Sequence, residues 1–173
     1  EALLGREEFG GEVHAYSPAF KDEEFAHLLR IADHISFNSP SQWKRHRAAA
    51  LAAGRKISFG LRVNPEHAEV DVELYNPCAA GSRLGTLRSE IKDPADLDGL
   101  DGLHFHTMCQ QGADVLERTV AAFEAKFGEF LPQMKWVNFG GGHHITRPGY
   151  DLDRLVRIIT GFRQRWGEHL QVY

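Results

Sequence analysis

Apolar and polar positions along this chain follow two alternating rhythms. Short runs repeat every second residue, and longer runs carry an apolar stripe near every 3.6 residues. Glu12 to Tyr16 (EVHAY) reads as a strand that Ser17-Pro18 stops. Asp22 to Ala32 reads as a helix, with Phe25, Leu28, Leu29 and Ala32 on one face and an acidic first turn. His34 to Asn38 (HISFN) is a second strand. Ser39-Pro40-Ser41-Gln42 then has the residues of a helix start, and that helix reaches about Gly54. Ile57 to Val63 (ISFGLRV) is a third strand. A longer excursion follows, Asn64 to about Leu100, holding the alternating Val70, Val72 and Leu74 and the turn-rich NPCAAGSRLG. Leu103 to Thr107 is a fourth strand and Ala113 to Phe127 a helix with Leu116, Val120, Phe123 and Phe127 on its stripe. Lys135 to Phe139 (KWVNF) is a fifth strand, ending in three glycines. Leu152 to Trp166 is a helix, with Leu152, Leu155, Val156, Ile159 and Phe162 expected to face inward, and Gln171 to Tyr173 opens a sixth strand.

Strand and helix alternate throughout, which argues for parallel α/β architecture, either an open doubly wound sheet or a (β/α) barrel. No Gly-x-Gly-x-x-Gly follows the first strand, as the open sheet would favour. Polar residues instead cluster after several different strands, which is the barrel pattern. No sequence repeat or low-complexity linker divides the chain. It starts at Glu1 inside a helix-like stretch and stops at Tyr173 inside an apolar strand, so a segment of a longer protein is expected.

Composition narrows the function classes. Hydrophobic residues are 42% and charged residues 25%, the balance of a globular domain, and the net charge of −4 argues against a nucleic-acid-binding surface. Mean hydropathy is −0.38 and no long apolar run exists, so no membrane span is expected. Two cysteines, Cys78 and Cys109, make no disulfide framework. With no signal peptide visible, free thiols in a cytoplasmic protein are the expectation.

The residues that could carry chemistry follow strands. Gly140-Gly141-Gly142 lets the backbone approach a ligand and aim N–H groups at an anion such as phosphate; a flexible turn is the plainer reading. His104 and His106 share one strand face. They suit a hydrogen-bonded core pair, a metal site, or an imidazole packed against a flat cofactor ring. Arg62, inside an apolar strand, either reaches the rim or points inward toward an anion. His143 and His144 follow the glycines, one of them toward a site and the other toward solvent. Cys109 sits three residues beyond His106, and Cys78 has no activating base nearby. His14, His27, His34, His46 and His67 read as surface or structural residues.

Together the segments GLRVNP, LYNPCAAGSRLG, GLHFHTMCQ and NFGGGHHITRPGYD resemble the carboxynorspermidine/carboxyspermidine decarboxylases, as do EEFGGEVHAYSPAF and HISFNSPSQW. These are pyridoxal 5'-phosphate (PLP) enzymes of the alanine racemase fold, and the resemblance covers essentially the whole chain. It implies a (β/α)8 TIM-type barrel present as strands three to eight, with residues 1–173 forming a partial PLP-binding domain. The first two strands, the Schiff-base lysine and a C-terminal β-domain would lie outside it, so no catalytic residue is expected within this chain. His106 would stack on the PLP ring, with Cys109 where related decarboxylases usually place a serine. Gly140, Gly141 and Gly142 would hold the phosphate, and Arg62 would lie near the ring and its acidic partner. His143 and His144 are candidates for substrate contact. No metal is implied.

The implied reaction is loss of an α-carboxylate from a polyamine precursor, the pyridinium ring taking up the electron pair. A homodimer is implied, with no nucleic-acid or membrane partner. Other readings are a diaminopimelate or basic amino-acid decarboxylase of the same fold, and a metal-dependent barrel hydrolase using His104 and His106 with His143 or His144. A last one is a PLP carrier without turnover.

Overall fold

A computed structural model describes residues 1–173. Six strands form one all-parallel sheet in chain order: β1 (His14–Tyr16), β2 (His34–Phe37), β3 (Ser58–Arg62), β4 (Gly102–His104), β5 (Trp136–Asn138) and β6 (Gln171–Val172). A short helix, α1 (Ala2–Leu4), continues as a π turn over Gly5–Phe9. The longer helices are α2 (Asp22–Ile31), α3 (Pro40–Leu51), α4 (Ala113–Phe127) and α5 (Leu152–Trp166). No helix is long and apolar enough to cross a membrane. The 64–100 excursion forms no named strand and carries short 3-10 turns at Glu73–Tyr75, Arg88–Glu90 and Pro94–Leu97.

The expected helix starts are built as their side chains suggest. Ser39 caps α3 by accepting from the Gln42 N–H at 3.1 Å, with Pro40 opening the helix, while the Gln42 side chain accepts from the Asn38 N–H at 2.6 Å. Asp151 caps α5 through the Arg154 N–H at 2.8 Å. One expected stripe needs correction. Leu152 and Val156 on α5 face solvent, and the inward row is Leu155, Ile158, Ile159 and Phe162. The sheet meets this helix along a narrow seam, and the amphipathic spacing leaves room for a rotation of one position.

The two faces of the sheet differ. Ile35, Phe37, Phe59, Leu61, Leu103, Phe105, Val137 and Phe139 point toward the helices and share one core with Phe25, Trp43, Leu116, Phe123 and Phe162. Side chains on the other face are mostly polar: His14, Tyr16, His34, Ser36, Ser58, Arg62, His104 and Asn138. A parallel sheet normally buries apolar residues on both faces. A polar second face suits the inside of a barrel end, where ligands bind.

That face is concave. The edges β1 and β6 would lie about 24 Å apart in a flat sheet of this width. Yet the Tyr173 ring, one residue beyond β6, is 4.5 Å from the His14 ring, and its hydroxyl is 3.2 Å from Glu12 Oε2. The sheet is therefore a curled partial α/β barrel. Its floor is filled by Trp136, whose indole lies over Gly60 and Gly102. A Cβ on either glycine would collide with the ring. Trp136 Nε1 donates to Ser58 Oγ at 2.7 Å, and Ser58 donates to Asp101 at 2.9 Å.

Candidate active site at the strand C-terminal ends

The site is assembled by the loops that leave β3, β4 and β5. The β4 ladder ends at His104, short of the expected Thr107. Beyond it the His106 carbonyl accepts not from a strand backbone but from the side chain of Arg62 on β3, Nη2 at 3.0 Å. The chain turns away there, and His106 is exposed whereas His104 is buried. The expectation that both histidines lie buried within one strand is corrected accordingly.

Arg62 points inward. It is 5% exposed, has no carboxylate partner, and lies 4.7 Å over the Tyr16 ring. A cation this buried ordinarily has an anion beside it, because desolvation costs several kcal/mol. Tyr16 is held in turn by Asn38, whose side-chain oxygen accepts from the Tyr16 hydroxyl and from the Gly85 N–H, both at 2.8 Å. The Asn38 amide donates to the Arg83 carbonyl at 2.8 Å. Thr86 pairs with the end of β3 through its N–H to the Arg62 carbonyl, and Gly85 approaches Val63 so closely that a Cβ would sit 2.9 Å from its carbonyl carbon. The Ser82–Gly85 turn is thus the tie that fixes the Arg62 end of β3.

The glycine loop is folded against β4. Gly140 and Gly142 have φ of +72° and +89°, and a Cβ on either would strike the backbone around Phe105–His106 or Met108–Cys109. Gly140 N–H donates to Asn138 Oδ1 at 2.7 Å, and Gly141 N–H donates to His106 Nδ1 at 3.0 Å. The second bond orients the His106 ring and leaves its proton on Nε2 in the neutral form. Burial first, then the Arg62 cation and His143, lower the His106 pKa. Of the three glycine amides, only that of Gly142 lacks a partner in the chain, as does the next, His143.

His104 is pushed down to about 3 by burial, with Arg62 and His106 adding to the effect, and its Nδ1 has no partner. The Arg62 cation beside both strand histidines argues against a divalent metal there. Cys109 is exposed just past the strand, beside Gly142, and its N–H donates to Gln111 Oε1 at 3.3 Å. Cys78 is half-buried, donates to the His67 carbonyl at 3.5 Å, and has its thiol pKa raised by burial. His143 is half-buried against Tyr150, whereas His144 is exposed and lines a recess of about 300 Å³ with Arg147 and Tyr150.

The structure therefore brings Arg62, His106, Cys109, Gly140, Gly141, Gly142 and His143 to one end of the strands and leaves His144 aside. Tyr16, Asn38, Thr86 and Tyr150 join them without having been singled out in the sequence. A polar residue directly after a strand was the available signal for Asn38. At the opposite, strand-N-terminal end, Glu12, His14 and His34 come together. The two rings there stack at 4.1 Å and 9°.

No family model matches the chain. It is 43% identical over 173 residues to the carboxynorspermidine/carboxyspermidine decarboxylase of Campylobacter jejuni, covering 100% of this chain and 44% of that protein. It is 41% identical over 165 residues to the carboxyaminopropylagmatine decarboxylase of a Synechocystis species, covering 95% of this chain and 42% of the relative. The chain thus spans less than half the length of the curated relatives it matches. A crystal structure of carboxynorspermidine decarboxylase from C. jejuni, complexed with norspermidine, superposes with a TM-score of 0.85 at 39% identity, over 100% of this chain and 42% of that one. A diaminopimelate decarboxylase shares the fold at a TM-score of 0.71 and 17% identity, over 93% of this chain and 41% of that one. Along its whole length, then, the chain is similar to the carboxynorspermidine/carboxyspermidine decarboxylases, and its six parallel strands are part of a barrel of the alanine racemase type.

Proposed function

We propose that this chain is the part of a PLP-dependent decarboxylase of carboxynorspermidine or carboxyspermidine that grips the cofactor from the β3–β5 side. The observation that carries the reading is the joint placement of His106 and the glycine loop, locked by the Gly141–His106 hydrogen bond. The residues fit a flat, phosphorylated, anionic group. His106 offers an exposed imidazole, Arg62 a buried cation lacking an anion, and Gly142 and His143 two free N–H donors beside a turn that only glycine can make. Bound there, PLP supplies an electron sink for the bond that loses carbon dioxide.

The chain's own residues perform the holding. His106 braces a ring face in a fixed orientation. Arg62 balances negative charge while its bond to the His106 carbonyl keeps that loop in register. The Gly142 and His143 amides take phosphate oxygens; Gly140 and Gly141 shape the turn and have their own N–H groups engaged within the chain. Cys109 stands at the edge of the same loop. The lysine that carries the cofactor is assigned to the remainder of the protein: of the six lysines here, Lys21, Lys44, Lys126 and Lys135 pair with carboxylates, Lys56 lies just before β3 at the strand N-terminal end, and Lys92 lies just before the Pro94–Leu97 turn. The remaining barrel strands, a β-domain and a cytoplasmic homodimer belong to the same proposal.

Identity of 43% and 41% to enzymes named for different carboxylated amines does not choose between substrates. Carboxynorspermidine and carboxyspermidine differ by one methylene, worth about 1–3 kcal/mol in a pocket. The reading is tested by titrating PLP into the full-length protein and its His106→Leu variant. The variant should bind at least tenfold more weakly, and the 173-residue chain alone should release no carbon dioxide. Equal PLP affinity in both proteins, or turnover by the isolated chain, contradicts the assignment.

A further inference from the structure

His143 stands at the mouth but is not committed by its neighbours. Its backbone pairs with Gln111 through a parallel bridge, which ties the loop after β5 to the loop after β4. Its Nδ1 lies 2.7 Å from the Tyr150 hydroxyl, with the rings edge to face at 6.1 Å. Nε2 has no partner in the chain. Tyr150 reaches this position because successive turns, Arg147 N–H to His144 and Tyr150 N–H to Arg147, fold the segment back, and its ring then packs on the hydrophobic core.

The Tyr150 hydroxyl has no other acceptor in the chain. Burial, with Asp114 and Asp151 nearby, raises its pKa, so it keeps a proton that it can donate to Nδ1. Burial lowers the His143 pKa, so the ring is neutral near pH 7. A neutral imidazole that accepts at Nδ1 must carry its hydrogen on Nε2. With Tyr150 as the donor, His143 is an uncharged Nε2–H donor, set beside the two unpartnered amides of Gly142 and His143 and near His106.

We propose that Tyr150 is a positioning residue that fixes His143 as an Nε2–H donor to an oxyanion at the mouth, either the cofactor phosphate or the substrate carboxylate. This rests on the proposed function for the identity of the ligands. An uncharged donor suits this site because it binds an oxyanion without repelling a polyamine cation alongside. His144, whose N–H donates to the Gln111 carbonyl and whose side chain is exposed, makes no hydrogen bond to Tyr150.

The test uses the full-length protein with His143→Leu, His143→Gln and Tyr150→Phe. Glutamine keeps an N–H close to the place of Nε2. If the oxyanion is the phosphate, leucine at 143 and phenylalanine at 150 each raise the dissociation constant for PLP about tenfold and leave that for pyridoxal, which lacks the phosphate, unchanged. If it is the carboxylate, PLP affinity holds while KM for carboxynorspermidine rises about tenfold with product affinity unchanged. In either case His143→Gln recovers most of the loss. The inference is overturned if neither constant moves, if pyridoxal and PLP weaken together, or if glutamine is no better than leucine. A wild-type protein that binds no PLP instead refutes the proposed function, a separate result.

Discussion

Arg62 brings a positive charge into the concave face where the chain gives it an aromatic ring and a carbonyl but no carboxylate. The guanidinium fork does two jobs at once, one N–H group on the His106 carbonyl and its plane over Tyr16. Lysine supplies the charge without the fork. On the proposed function, Arg62→Lys in the full-length protein should lower kcat by about tenfold and Arg62→Met by about a hundredfold, measured as carbon dioxide release. Equal activity in the lysine variant would show that charge alone matters. His104 makes a different prediction. Its folded pKa is about 3 against about 6.5 unfolded, so the unfolded chain takes up the proton first. The stabilisation is complete above pH 6.5 and is lost as pH falls toward 3, amounting to about 2 kcal/mol by pH 5. Urea melts at pH 7 and pH 5 should show at least that drop, and His104→Gln should reduce it, leaving the share of His34, His106 and His143, whose pKa values burial also lowers.

Elements in this chain are placed by tight fits between strands far apart in sequence. Trp136 on β5 lies across Gly60 on β3 and Gly102 on β4. Gly102→Ala should cost about 1–3 kcal/mol by forcing the indole out of place. Combining it with Trp136→Leu should cost less than the two changes summed, because the clash is then gone; simple additivity would refute the packing account. The same elements show what was legible beforehand. The strands and helices follow from apolar spacing, and His106, Arg62 and the glycines follow from polar residues at strand ends. The glycine pair that admits Trp136 was not legible, since each glycine by itself looks like an ordinary small residue in a strand. Asn38 and Tyr150 were hidden for a similar reason. Each acts through hydrogen bonds to residues brought near only by the fold, and the carbonyl of His106, which the strand pattern left to the sheet, is taken instead by the Arg62 side chain.

At the scale of the molecule, a polar concave face inside an apolar outer layer is the central fact. It places a buried cation, a fixed imidazole and a glycine turn where the strands end, and leaves the opposite end to a stacked histidine pair and Trp136. The chain is similar over its whole length to carboxynorspermidine/carboxyspermidine decarboxylases, and the proposed chemistry, loss of carbon dioxide from a carboxylated amine, rests on that similarity. The most direct test uses the full-length protein with added PLP and compares carbon dioxide release from carboxynorspermidine and from meso-diaminopimelate. The account predicts turnover of the polyamine precursor and none of the diamino acid. Turnover of diaminopimelate alone, or of neither substrate with no PLP retained, would contradict it.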